Sequence, residues 1–332
     1  MPRKITSRYG DLHVFGGPIY PKFAEQIISH LVRTDRRFNY LKGEKANNHY
    51  FPSRAFCSRL PNVRESDVFL VDPLRLDGTD IWAMCVMAQA AKLASAARVT
   101  AVLPYFEGRQ DRKANRGEAI TAALALRLLR EAGVDRFLTL DPHLDQLQAM
   151  TKLPFDCLYA SAIFLPIMRR LQKRYKDIIV MGPDYGSLGR NRFYAKNLGC
   201  DVGHTDKQRD ANKQSHILNV LGNVKGRTVF LADDTIDTTN SFVEAARVIR
   251  KEGAERIIGF GTHPLFSTKN KISANQRIAE SPIEKLYICD TVQPPKHLSP
   301  KIEVVSAAEL IAEAILLTHI GGSISTLFVK RL

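Results

Sequence analysis

The sequence predicts an α/β fold built on two similar, mainly parallel sheets flanked by helices. Short apolar runs rich in Val, Ile, Leu and Phe, each ending at Asp, Pro or Gly, alternate with stretches of strong helix formers. Unbroken apolar runs of this length are how strands buried on both faces of a parallel sheet read. The same runs also recur in both halves of the chain, in the same order. DLHVFGGP (residues 11–18) matches DIIVMGPD (177–184), and DVFLVDP (67–73) matches TVFLADD (228–234). ARVTAVLPYF (97–106) parallels ERIIGFGTHP (255–264), and VDRFLTLD (134–141) parallels IEKLYICD (283–290). Each match is weak alone, but four in one order read as an internal duplication.

The helices follow from composition and stop signals. Residues 119–132 (AITAALALRLLREA) are strong helix formers and end at Gly133, and the stretch beginning at Phe242 ends in the same way at Gly253. Residues 306–319 keep apolar positions at helical spacing around Glu309 and Glu313, and this helix can pack back on the first half; a short tail follows. At 332 residues the chain fits two domains of about 150 residues each, large enough to bury a core without disulfide or metal staples. With 45% apolar and 25% charged residues, collagenous, disordered and disulfide-scaffold classes are excluded.

The 48 basic and 34 acidic residues leave a net charge of +14, which favours polyanionic partners, either nucleic acid or phosphorylated small molecules, unless it serves only solubility. The excess gathers early, at Arg33, Arg36, Arg37, Lys42, Lys45, Arg54 and Arg59, with few interleaved aromatic rings to stack bases. No nucleic-acid-binding motif accompanies it. The five cysteines (Cys57, Cys85, Cys157, Cys200, Cys289) are scattered and never form a C-x-x-C pair, as expected of buried, inert thiols in a reducing compartment. The N-terminus lacks a secretory apolar core and no run of 18 apolar residues exists, so a cytoplasmic protein without a membrane anchor is expected.

Parallel sheets place ligands at the carboxyl ends of their strands, so the residues just after each run are the ones to read. The strongest signal is VFLADDTIDTTNS, residues 229–241. An apolar strand delivers adjacent carboxylates, Asp233 and Asp234, and then a tight polar loop of Asp237, Thr238, Thr239, Asn240 and Ser241 opens a helix. Loop amides at a helix N-terminus point outward and cradle phosphate, while the paired carboxylates suit the vicinal hydroxyls of a sugar or outer-shell contact with a metal. An acidic turn followed by an N-cap accounts for the same residues without any ligand.

The pattern resembles the phosphoribosyl-pyrophosphate binding motif shared by phosphoribosyltransferases and ribose-phosphate pyrophosphokinases. The second family fits the duplicated chain. YFEGRQDRK (105–113) resembles its ATP-site segment, TLDPHLDQLQ (139–148) its metal-site segment, and AESPIEKLYICDT (279–291) with SISTLF (323–328) its C-terminal stretches. The resemblance implies two tandem phosphoribosyltransferase-like domains, 1–155 and 156–305, with 306–332 as a C-terminal helix and tail. It implies transfer of the β,γ-diphosphoryl group of ATP, or another nucleoside triphosphate, to the anomeric hydroxyl of ribose 5-phosphate, in a homo-oligomer.

Roles carry over residue by residue. Arg109 and Gln110 match nucleotide contacts, and His143 and Asp184 match the positions associated with Mg2+. On the residues alone, a single histidine after a strand such as His143 is more often structural. Asp233, Asp234, Asp237, Thr238, Thr239, Asn240 and Ser241 match the ribose-5-phosphate site. Lys207 and Arg209, in the polar segment 204–212, match the catalytic cations of a mobile loop; without the family context a solvated loop reads equally well.

Several positions depart from the family pattern. Phe51, Pro52, Ser53, Arg54 and Ala55 stand where the adenine-contacting F-S-D-G-E segment is expected, so both acidic residues are missing. The segments before Arg109 and after Arg209 are each shorter than usual. Asn240 replaces a glycine, a mild change if that position needs positive φ. Tyr185, Gly186 and Ser187 follow Asp184 where two glycines are usual. The metal positions, phosphate loop and cations remain, which favours an active enzyme with altered nucleotide recognition over a regulatory homologue without catalysis.

Overall fold

A parallel strand pair needs a crossover, and in this chain a helix provides most of them. The computed structural model describes residues 7–34, 46–53, 55–76, 78–107, 117, 119–209, 215–268 and 272–329. The chain divides into two compact units: one runs through Tyr159 and resumes at Ala307, and the other spans Ala160–Ser306.

In the first unit, β1 (Leu12–Gly16), α1 (Pro21–Thr34), β2 (Asn47–Tyr50), β3 (Phe56–Arg59), β4 (Asp67–Val71), α2 (Thr79–Leu93), β5 (Arg98–Leu103), α3 (Thr121–Glu131), β6 (Arg136–Leu140) and β7 (Phe155–Leu158) follow in order. Five strands form an all-parallel sheet in the order β1-β4-β5-β6-β7, and β2 and β3 form a separate antiparallel ribbon. Every residue of β4 is buried, as its apolar run requires. One face of this sheet packs Val68, Leu70, Val99 and Ala101 with Met84, Met87 and Ala88 of α2 and Leu126 and Leu129 of α3. Gly133, just after α3, takes φ 109°, the left-handed conformation that ends a helix cheaply.

The second unit contains α4 (Ser161–Gln172), β8 (Ile178–Gly182), α5 (Leu188–Leu198), β9 (Asp201–Arg209), β10 (Ser215–Leu221), β11 (Thr228–Ile236), α6 (Asn240–Lys251), β12 (Arg256–Pro264), α7 (Ala274–Ala279), β13 (Lys285–Cys289) and β14 (Ile302–Val305). Its sheet has the order β10-β9-β8-β11-β12-β13-β14, parallel except for the β9–β10 pair. From β8 the chain builds outward through β9 and β10, then returns to lay β11 on the opposite side of β8. That reversal opens a crevice at the carboxyl ends of β8 and β11. The first unit's sheet grows in one direction and has no such reversal.

The chain returns to the first unit as α8 (Ala308–Ile320), which packs on α1, and then α9 (Thr326–Val329). A buried charge cluster anchors α8. Asp67, fully buried at the start of β4, accepts from Arg98 Nε at 2.8 Å and Nη2 at 2.6 Å. It also meets His319 Nδ1 at 2.9 Å, and Arg98 donates to the Thr318 carbonyl at 3.0 Å while stacking on the Tyr9 ring at 4.2 Å.

The elements differ from the sequence expectation mainly at their ends. Helix α6 begins at Asn240, so two residues of the expected loop form its first turn. Residues 204–209, expected in a loop, extend β9 and pair with β10, because the antiparallel partner satisfies their backbone groups. No cysteine is disulfide-bonded; Cys289 is buried and the other four are half-buried, not fully buried as expected. Burial pushes the Cys85 thiol up to about 11 and raises Cys200, so both are poor nucleophiles at neutral pH. Among the described residues, no helix is long and apolar enough to cross a membrane.

Asp67→Ala leaves the Arg98 guanidinium and the His319 ring without the buried carboxylate they share. The expected cost is about 3–5 kcal/mol, read as a lowered urea midpoint. An unchanged midpoint would show that the cluster does not anchor α8.

Candidate functional site

The crevice of the second unit collects the acidic residues singled out above. Fully buried β8 ends at Gly182, and the chain turns through Pro183 and Asp184 into a short 3-10 turn, Tyr185–Ser187, that leads into α5. Asp184 caps this turn: its carboxylate accepts the Ser187 N–H at 3.3 Å, and its carbonyl accepts the Ser187 hydroxyl at 2.7 Å. A side chain at Gly182 would meet Ser187 Oγ at 2.0 Å, so the turn closes tightly because that position is glycine. The Thr205 hydroxyl of β9 holds the Pro183 carbonyl at 2.8 Å from the other side.

Beside it, β11 carries Asp233, Asp234 and the loop to α6. The Asp234 N–H donates to Asp233 Oδ1 at 2.9 Å, and buried Asp234 faces the Arg190 guanidinium of α5 at 3.5 Å. Asn191, also on α5, donates to the Ala232 carbonyl at 3.2 Å and fixes the helix against the strand end. Asp233 keeps some exposure as a residue, yet its carboxyl is densely surrounded. Burial raises its pKa well above the usual carboxylate range, the charge of Asp234 and a hydrogen bond to it raise it further, and Asp184 adds to this, while Arg190 opposes. The oxygens of this carboxyl can accept from a sugar hydroxyl.

The loop itself is strained at one point. Thr239, the buried N-cap of α6, has φ 65° and ψ −7°, a region a β-branched residue rarely enters. Positive φ therefore falls on Thr239 and not on Asn240, which is helical; the helix starts one residue earlier than the glycine comparison anticipates. The Thr238 carbonyl accepts from Thr239 Oγ1 at 2.6 Å and from Arg277 Nη1 at 3.0 Å. Asp237, Thr238 and Asn240 are half-buried and Ser241 is exposed at the start of α6, where helix amides and the helix dipole favour an anion.

The remaining candidates are placed differently. His143 is half-buried and follows β6 in the first unit, two residues after Asp141, whose φ is 40°. Lys207 and Arg209 lie near the end of β9, opposite Ile217 and Ser215 of β10, and their side chains are outside the described residues. Arg109 and Gln110 fall outside the described residues altogether, as do Arg36, Arg37, Lys42, Lys45 and Arg54. Phe51, Pro52, Ser53 and Ala55, where the resemblance leads one to expect adenine contacts, flank the β2–β3 ribbon; the Phe51 N–H donates to the Ala55 carbonyl at 2.8 Å and Ser53 is exposed.

Sequence reasoning missed Arg190, Asn191, Thr205 and Arg277. Each acts across the fold on a segment distant in the chain, and no local spacing announces it. It also missed Asp72, at the carboxyl end of β4 in the position that the repeat aligns with Asp233. Asp72 accepts the N–H groups of Ile19 at 3.0 Å and Tyr20 at 2.8 Å, and burial raises its pKa to about 7. The first unit thus fills its own β1–α1 loop with an internal carboxylate.

Known proteins resemble this chain along nearly its whole length. Residues 12–133 match the N-terminal domain of ribose phosphate pyrophosphokinase, and residues 175–329 match the phosphoribosyl synthetase-associated domain. A ribose-phosphate pyrophosphokinase of Nitrosomonas europaea is 35% identical over 327 residues, covering 97% of this chain and 99% of the relative. One from Chromobacterium violaceum is 35% identical over 329 residues, covering 98% and 97%. The crystal structure of phosphoribosylpyrophosphate synthetase from Mycobacterium smegmatis superposes with a TM-score of 0.83 at 28% identity, covering 94% of this chain and all of that one. With a match of this length in both sequence and structure, the chain belongs to the ribose-phosphate pyrophosphokinase family.

Proposed function

We propose that the protein transfers the β,γ-diphosphoryl group of a nucleoside triphosphate, ATP in the first instance, to the anomeric hydroxyl of ribose 5-phosphate. The anomeric oxygen forms a bond to the β-phosphorus as the bond from that phosphorus to the α,β-bridging oxygen breaks. The hydroxyl loses its proton and nucleoside monophosphate leaves. The observation that carries this reading is the convergence, at one strand-order reversal, of the Asp233–Asp234 pair with a phosphate-type loop opening a helix.

In this reading the amides and hydroxyls of 237–241 hold the sugar phosphate, and Asp233 and Asp234 orient the ring hydroxyls. Lys207 and Arg209 supply positive charge to the transferring group, and Arg109 and Gln110 contact the nucleotide. Magnesium fits the donors available. Among the described residues no three Asp, Glu, His or Cys side chains gather to hold a metal alone, and magnesium typically takes one or two protein groups together with waters and phosphates. Asp184 and His143 are the residues assigned to it, and the ion would offset the charge of the triphosphate. Copies of the chain are expected to assemble, as the family resemblance implies.

The test is release of nucleoside monophosphate from ATP, GTP or CTP with magnesium, with and without ribose 5-phosphate. Sugar-dependent release from one of them is expected. Release from none, by folded protein that still binds the sugar phosphate, would favour the regulatory homologue. In the same assay Lys207→Ala is expected to cut turnover by about 10²-fold or more with sugar-phosphate affinity retained. Thr238→Val, which removes a cradle hydroxyl, is expected to weaken ribose-5-phosphate binding by about tenfold or more in a calorimetric titration. Unchanged affinity would move the cradle elsewhere.

A further inference from the structure

We propose that Arg277 is a positioning residue for the phosphate cradle: by holding the Thr238 carbonyl, it aims the Thr239 N–H at the bound phosphate. This rests on the ribose-5-phosphate reading of the 237–241 loop. The peptide unit between Thr238 and Thr239 is planar and trans, so its carbonyl and its N–H point in opposite directions. Two donors, Arg277 Nη1 at 3.0 Å and Thr239 Oγ1 at 2.6 Å, fix that carbonyl on one side. The N–H is thereby committed to the other.

The conformation needs such support. Thr239 sits at φ 65°, a conformation that is unfavourable for a residue other than glycine and persists only where the surroundings over-determine it. Thr239 Oγ1 belongs to the strained residue itself, so it travels with the loop and cannot anchor it. Arg277 is the donor that comes from another element.

Helix α7, which carries Arg277, is well seated. Ser273 caps it by accepting the Gln276 N–H at 3.1 Å. Ala274 and Ile278 are fully buried in the core of the second unit, and Asn275 Oδ1 accepts the Ser299 N–H at 2.6 Å. The Arg277 side chain thus reaches the loop from a rigid platform while the carbonyl it holds faces away from the ligand side. Arg277 touches no substrate in this account; it sets the direction of an amide that does.

The test uses full-length protein with ribose 5-phosphate as the probe, read by calorimetric titration and by steady-state kinetics. Arg277→Met keeps the aliphatic stem and removes the donor. It is expected to raise KM for ribose 5-phosphate by about tenfold or more, with kcat and the nucleotide KM changed by less than about threefold. Arg277→Lys retains an N–H donor and should stay within about threefold of the parent. A lowered melting temperature with unchanged KM in both variants would make the contact merely structural and overturn the proposal. If Arg277→Met does not fold, Arg277→Leu, which also lacks a donor, is judged by the same split between KM and kcat. A parent protein that does not bind ribose 5-phosphate overturns the cradle reading itself, and this shows before any variant is made.

Discussion

The site depends on one topological constraint, the reversal of strand order between β8 and β11. Parallel strands present all their carboxyl ends at one edge, but adjacent connections normally cover that edge. Where the chain departs to one side of β8 and returns on the other, the loops diverge and leave room for a ligand. Asp184 follows one strand of the reversal, and Asp233, Asp234 and the α6 loop follow the other. The first unit has related strands without the reversal, and there the amides of Ile19 and Tyr20 are taken up by Asp72. The two units thus differ: one carries the strand-order reversal and the other satisfies its own β1–α1 loop.

Electrostatics explains why the open edge needs help from neighbouring helices. Asp184, Asp233 and Asp234 repel one another, and burial makes ionisation of Asp233 costlier still. The Arg190 guanidinium offsets part of that charge from α5, while Arg277 braces the adjoining loop from α7. The second unit therefore sets carboxylates beside a helix-opening loop at one strand edge, with Arg190 offsetting part of their charge.

Much of this could be read from the residues. Apolar runs such as 67–73 and 228–234 gave the strands because burial on both faces leaves an unmistakable pattern, and the Asp-Asp, Thr-Thr-Asn-Ser sequence after β11 located the loop. Element boundaries depend on partners that local sequence does not show. Nothing in HTDKQR shows that these residues pair with β10 as strand, because that depends on a partner further along the chain. Asn240 was the better candidate for positive φ on intrinsic preference, yet the start of α6 places that conformation on Thr239. The buried links Asp67–Arg98–His319, Arg190–Asp234 and Arg277–Thr238 join segments far apart in sequence, and only the fold makes them neighbours.

The central claim is that the crevice presents the anomeric hydroxyl of ribose 5-phosphate as acceptor of an intact diphosphoryl group. Phosphorus NMR of the products formed from magnesium, ribose 5-phosphate and the preferred nucleoside triphosphate tests it directly. The account predicts nucleoside monophosphate together with a coupled pair of diphosphate resonances, one of them split by the anomeric proton. Nucleoside diphosphate with a singly phosphorylated acceptor, or free pyrophosphate formed without regard to the sugar, would contradict it.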